Sequence, residues 1–132
     1  MIGLDAHVLM RLFDRSDPVL TSRAEGIVSV APPEGGCFVH PLALVEMALR
    51  LERVFKLPRE AVAEYLDRIL RAPEFTIPAS GEALLAVEHY RSGKASFSDC
   101  LLGELNLAAG CEITATFDPH TADSAGFTLL KG

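Results

Sequence analysis

Met1-Ile2-Gly3-Leu4-Asp5 opens the chain with four apolar or small residues that stop at a carboxylate, which reads as a short buried strand with an acid at its carboxyl end. The same pattern recurs. Cys37-Phe38-Val39 is a second short apolar run, residues 113–117 are rich in β-branched side chains and end at Asp118, and residues 127–130 make a last strand candidate. Phe75-Thr76-Ile77, bounded by Pro73 and Pro78, fits an extended segment at a sheet edge, where a missing backbone donor does least harm.

Helical stretches fill the intervals. A turn or two is expected over residues 6–13. Asp17-Pro18 then supplies an N-cap and an N1 proline for a second helix through Ile27. The run Pro32-Pro33-Glu34-Gly35-Gly36 continues no helix and marks a surface turn. Pro41 opens a helix carrying Leu42, Val45, Leu49 and Val54, with an apolar surround that predicts burial of Glu46. Another begins near Pro58, and its stripe over residues 61–70 suits core packing first and a partner surface second. Ser80 and Ser96 each stand where a cap for a further helix is needed. Strands separated by helices, with no hairpin dipeptides between them, predict a parallel α/β sheet covered on both faces.

At 132 residues and 49 % hydrophobic, with net charge −6, the chain is expected to form one domain over residues 1–132. Disorder and collagen-like repeats are excluded by this composition. No stretch approaches the ~18 apolar residues a membrane span needs, and Asp5 falls where a secretory leader would be basic, so a cytoplasmic protein is expected. Cys37, Cys100 and Cys111 lack zinc-knuckle or redox spacing, stand beside apolar residues and read as buried thiols. The four histidines show no ligand spacing either, so any metal should be a hard, oxygen-bound one.

Asp5 and Asp118 end strands whose carboxyl ends share one edge in a parallel sheet, and ligands bind just outside that edge. Asp99, in the first turn of its helix, and Glu46, early in another, reach the same rim. Each acid also has a local explanation. Asp5 and Asp118 can cap the helices that follow them, Asp99 completes an S-x-x-[DE] box with Ser96, and Glu46 pairs at i+4 and i+7 with Arg50 and Arg53. Four clustered carboxylates repel: one pair ~4 Å apart costs about 4 kcal/mol at an effective dielectric of 20. A divalent cation relieves that repulsion, and it also polarises phosphoryl oxygens and acidifies a bound water.

These stretches resemble a known family. Residues 2–13 resemble the opening of PIN-domain proteins, in particular the VapC toxins of bacterial toxin–antitoxin pairs. Pro41-Leu42-Ala43-Leu44-Val45-Glu46 is similar to their second motif, Ser96-Phe97-Ser98-Asp99 to the third and Thr114-Ala115-Thr116-Phe117-Asp118 to the fourth. Gly126-Phe127-Thr128-Leu129-Leu130 is similar to the closing strand. The resemblance implies a single PIN-like domain with a three-layer α/β/α fold and a central parallel sheet of about five strands. It implies a Mg²⁺- or Mn²⁺-dependent endoribonuclease in which Asp5, Glu46, Asp99 and Asp118 hold the metal and Thr116 offers a hydroxyl. It further implies an RNA substrate, a cognate antitoxin that inhibits the enzyme, and a homodimer. Two positions depart from the pattern: His7 stands where Asn or Ser is usual, and Pro119 follows Asp118 where a basic residue is common.

An acidic chain is an uncommon RNA partner, since phosphate binding relies on Lys and Arg. Four of the 18 acidic residues belong to the proposed site, however, so the remainder is only mildly acidic. Arg50, Arg53, Arg91 and Lys94 are the basic residues considered for phosphate contact. Two other functions fit less of the sequence. One is a catalytically inactive PIN-fold module that binds RNA or protein. The other is a phosphate-transfer domain with an aspartate nucleophile, for which no lysine or phosphate-cradling glycine loop stands beside any acid.

Overall fold

The computed structural model describes residues 1–131. In chain order the elements are β1 (Ile2–Gly3), α1 (Ala6–Arg11), α2 (Pro18–Val30), β2 (Cys37–Phe38), α3 (Pro41–Arg53) and α4 (Arg59–Arg71). They continue with β3 (Phe75–Thr76), α5 (Ser80–Ser92), α6 (Phe97–Ala108), β4 (Thr114–Thr116), α7 (Pro119–Ala122) and β5 (Phe127–Leu129). The strands are parallel and alternate with helices, an α/β fold as the sequence predicts. No described helix is long and apolar enough to cross a membrane.

One central sheet of about five strands is not what forms. The strands divide into a three-stranded sheet of order β1-β2-β3 and a separate two-stranded sheet of β4 and β5. In the first, Ile2 pairs with Cys37 and Phe38 with Thr76; in the second, Thr114 pairs with Phe127 and Thr116 with Leu129. Strands of two or three residues offer few ladder bonds, and among the described residues no ladder joins β4 or β5 to the three-stranded sheet. β3 lies at a sheet edge, consistent with the prolines that bracket it.

The turn before β2 depends on its glycines. Gly35 adopts φ +65°, and a Cβ at Gly36 would run into the backbone of Pro32, so neither position accommodates a side chain without strain. This tight reversal carries the Gly36 carbonyl to within 2.8 Å of the Ile2 amide, which seats β1 beside β2.

A continuous core joins α1, α3, α4, α5 and the first half of α6, with Leu9, Leu44, Met47, Val62, Leu66 and Ile69 fully buried. Glu46 does not share that burial. Only one face of α3 is covered, through Leu44, Met47, Ala48 and Leu51, and Leu42 on the opposite side is 72 % exposed. The stripe on α4 packs inward, as its amphipathic spacing predicts. Two local readings also change. Ala79, left-handed at φ 55°, occupies the N-cap of α5 and Ser80 is the first helical residue. Cys111 is exposed, whereas burial pushes the Cys37 and Cys100 thiols above their ordinary values.

Candidate functional site

Asp5 follows β1 and caps α1: its Oδ1 accepts a hydrogen bond of 2.9 Å from the Val8 amide. That backbone bond, reinforced by His7, outweighs partial desolvation and holds the Asp5 carboxyl below the usual carboxylate range. The side chain remains 64 % exposed, so it is an ionised group facing solvent.

A polar path runs from Asp5 to Glu46. The His7 ring places Nδ1 3.3 Å from Asp5 Oδ2, and Nε2 2.7 Å from an Arg50 guanidinium nitrogen. Arginine only donates, so Nε2 accepts and the imidazole proton lies on Nδ1, directed at Asp5. Arg50 Nε lies 3.5 Å from Glu46 Oε1, within ion-pair range. Alignment is poor, however, and Arg50 Nε is a buried donor without a hydrogen-bond acceptor. Glu46 is 48 % exposed. Two acids far apart in sequence are thereby linked through one imidazole and one guanidinium.

Asp99 and Asp118 form a second linked pair. The Thr121 hydroxyl, on α7, donates to Asp99 Oδ2 at 2.9 Å, and Asp118 caps that same helix by accepting from the His120 amide at 2.8 Å. Thr116 Oγ1 accepts from the Asp118 amide at 3.1 Å, so the hydroxyl expected to serve the site shapes the turn that carries Asp118. Ser96 accepts from the Asp99 amide, which is half of the capping box legible in the sequence.

Asp5, Asp99 and Asp118 therefore lie at helix beginnings and Glu46 in the second turn of α3, and their contacts join them as two pairs. Among the described residues no three His, Cys, Asp or Glu side chains come together in a way that could hold a metal ion. Asp5 is shifted toward ionisation, by the Val8 amide first and His7 after it, rather than away from it as a crowded carboxylate would be. An all-oxygen donor set suits Mg²⁺ or Mn²⁺ chemically. In this structure those oxygens are engaged by the Val8 amide, His7, Arg50 and Thr121 instead. The cation beside Glu46 is the Arg50 guanidinium.

Among the basic residues considered for phosphate, Arg91 is tied to Glu60 and to Glu64 across the α4–α5 contact. Arg53 and Lys94 are exposed. Sequence reasoning missed the bridging role of His7 and the Asp99–Thr121 bond. The i,i+4 spacing of Glu46 and Arg50 was a visible signal for half of the first, but Thr121 lies on a four-residue helix that no periodicity announces. It missed also the His89–Glu104 contact of 2.9 Å, which pairs a nearly buried carboxylate on α6 with a ring on α5.

The family model described as PIN domain matches residues 2–126. No curated protein matches the chain.

Proposed function

This chain belongs to the PIN-domain family, whose fold is of nuclease type, and from that premise we propose that it is a metal-dependent endoribonuclease toxin of the VapC kind. The observation that carries the proposal is the acidic edge after β1, where a solvent-facing, ionised Asp5 shares one polar path with Glu46. Asp5, Glu46, Asp99 and Asp118 are the side chains assigned to a divalent cation, Mg²⁺ or Mn²⁺, with Thr116 beside them. Support for that assignment is the family and the all-oxygen chemistry of the four side chains, not an assembled cage. The proposal includes RNA as substrate, a cognate antitoxin as inhibitor, a homodimer and a cytoplasmic location.

A second reading is favoured by the Arg50–Glu46 and His7–Asp5 contacts. With a guanidinium and an imidazole already engaging these acids, the chain is a PIN-fold module that binds RNA or protein without cutting it.

Incubation of the purified protein with total RNA, with and without Mg²⁺ or Mn²⁺, tests the first reading. Cleavage is expected with metal, and Asp5→Asn and Asp99→Asn are expected to abolish it while the proteins stay folded. Wild-type cleavage rates in both variants would remove the catalytic assignment. Metal titration separates the two readings by a second route: a ligand at 100 times its Kd adds about 2.7 kcal/mol to stability, so melting should rise for the nuclease and stay level for the inactive module.

A further inference from the structure

A groove of about 450 Å³ opens between α1, α2 and the end of α3, and it is continuous with the acidic edge because His7 and Arg50 line both. Its floor is apolar and unpartnered. Leu20 and Ile27 stand seven residues apart on one face of α2, and Val54 and Phe55 follow α3; they are 39 %, 44 %, 64 % and 40 % exposed. Its rim carries Arg11, Arg23 and Arg50, against the single carboxylate of Asp14. Arg11 is paired with that carboxylate at 3.3 Å, and Arg23 has no ion-pair partner among the described residues. Arg50 faces Glu46 at 3.5 Å, which leaves Arg23 as the unmatched positive charge of the rim in a chain of net charge −6.

We propose that this groove is a nucleotide subsite: it takes one residue of single-stranded RNA adjacent to the phosphate at the acids, with the base against Phe55 and the neighbouring phosphate on Arg23. The proposal rests on the nuclease reading and deepens it. Three observations favour a nucleic-acid strand over a protein helix. The volume is that of a small-ligand pocket rather than a long docking surface. Guanidinium forks at the rim match phosphate geometry, while an exposed aromatic ring accepts any base by stacking. A strand laid across the acidic edge also passes His7 and Arg50 directly into the groove.

The test measures binding of a fluorescein-labelled single-stranded RNA 12-mer to the full chain by anisotropy, in EDTA so that nothing is cut. Each phosphate contact on a single strand contributes about 0.7 to the slope of log K against log salt. Arg23→Gln should lower that slope by about 0.7 and weaken binding about fivefold at 0.1 M salt, and Arg23→Lys should retain it. Phe55→Ala should weaken binding roughly 5- to 150-fold with the slope unchanged, and Phe55→Trp should restore it. Circular dichroism confirms that each variant is folded. Wild-type affinity and slope in both Arg23→Gln and Phe55→Ala would overturn the subsite. If Asp5→Asn still abolishes cleavage in that case, the nuclease reading survives the loss of the subsite. RNA binding that is indifferent to Arg23 and Phe55, together with Arg23-dependent binding of a glutamate-rich peptide, would assign the groove to a protein segment and equally overturn the proposal.

Discussion

The two sheets belong to regions of very different solidity. Around β1, β2 and β3 the helices α1, α3, α4 and α5 bury a continuous apolar core, and every buried member of that core lies at or before Leu101. Beyond it, β4, α7 and β5 contribute a single buried residue, the polar Thr121, and leave Ile113, Phe117, Leu129 and Leu130 exposed. The C-terminal unit is held to α6 by a few specific contacts instead. A Cβ on Gly103 would lie 2.5 Å from the Phe127 ring, Asn106 donates to Thr114 at 3.0 Å, and Thr121 donates to Asp99. One pair of acids therefore begins at the firm half, while Asp118 rides on the weaker one. Local opening free energies follow buried apolar contact, so the second pair is expected to be the more mobile.

Breaking the firm half should have the largest effect. Leu66 is fully buried, and Leu66→Ala is expected to cost about 2–5 kcal/mol of global stability through lost transfer energy and a residual cavity. Urea unfolding measures this, and a loss under 1 kcal/mol would show that the core is looser than its burial implies.

Gly103→Ala probes the seam between the halves. Forcing a methyl against Phe127 costs about 1–3 kcal/mol by overpacking. The gain in helix propensity from replacing glycine, about 1 kcal/mol, offsets part of it. Hydrogen exchange should accelerate in β4 and β5 while the amides of α3 and α4 keep their protection. Uniform acceleration would mean that the two regions unfold as one.

The smallest effect is electrostatic. Asp5 is held below its unfolded value of about 3.9, so it contributes stability above that value and loses it as the pH falls through the folded one. Asp5→Asn keeps a capping side chain but removes the charge. The variant should melt slightly below wild type at pH 7, and the gap should close on acidification below about pH 4. A variant more stable than wild type at pH 7 would point instead to repulsion at the acidic edge.

Much of the local structure was readable before any coordinates. Asp17 accepts from the Val19 and Leu20 amides as a cap should, and Pro18 begins the helix. Pro41 opens α3. The local explanations of the acids were readable as well, and the structure shows Asp5 and Asp118 capping helices and Glu46 facing Arg50. Ser80 was misjudged because a left-handed backbone at Ala79 starts the helix without a side-chain cap. Cys111 was misjudged because apolar neighbours in sequence do not ensure cover in space, and the residue is exposed just past the end of α6.

By itself the sequence determined the order of strands and helices and most of their starts, and it placed Asp5, Asp99 and Asp118 at helix beginnings with Glu46 one turn further into α3. Capping, proline geometry and hydrophobic period act over a few residues, and that is why they are legible there. Tertiary structure alone decided how five short strands divide between two sheets and which acids meet. His7 reaches Arg50 across 43 positions, and Asp99 reaches Thr121 across 22. Such meetings depend on how separate helices pack, a balance of buried area and chain entropy summed over the whole molecule rather than written at any one position.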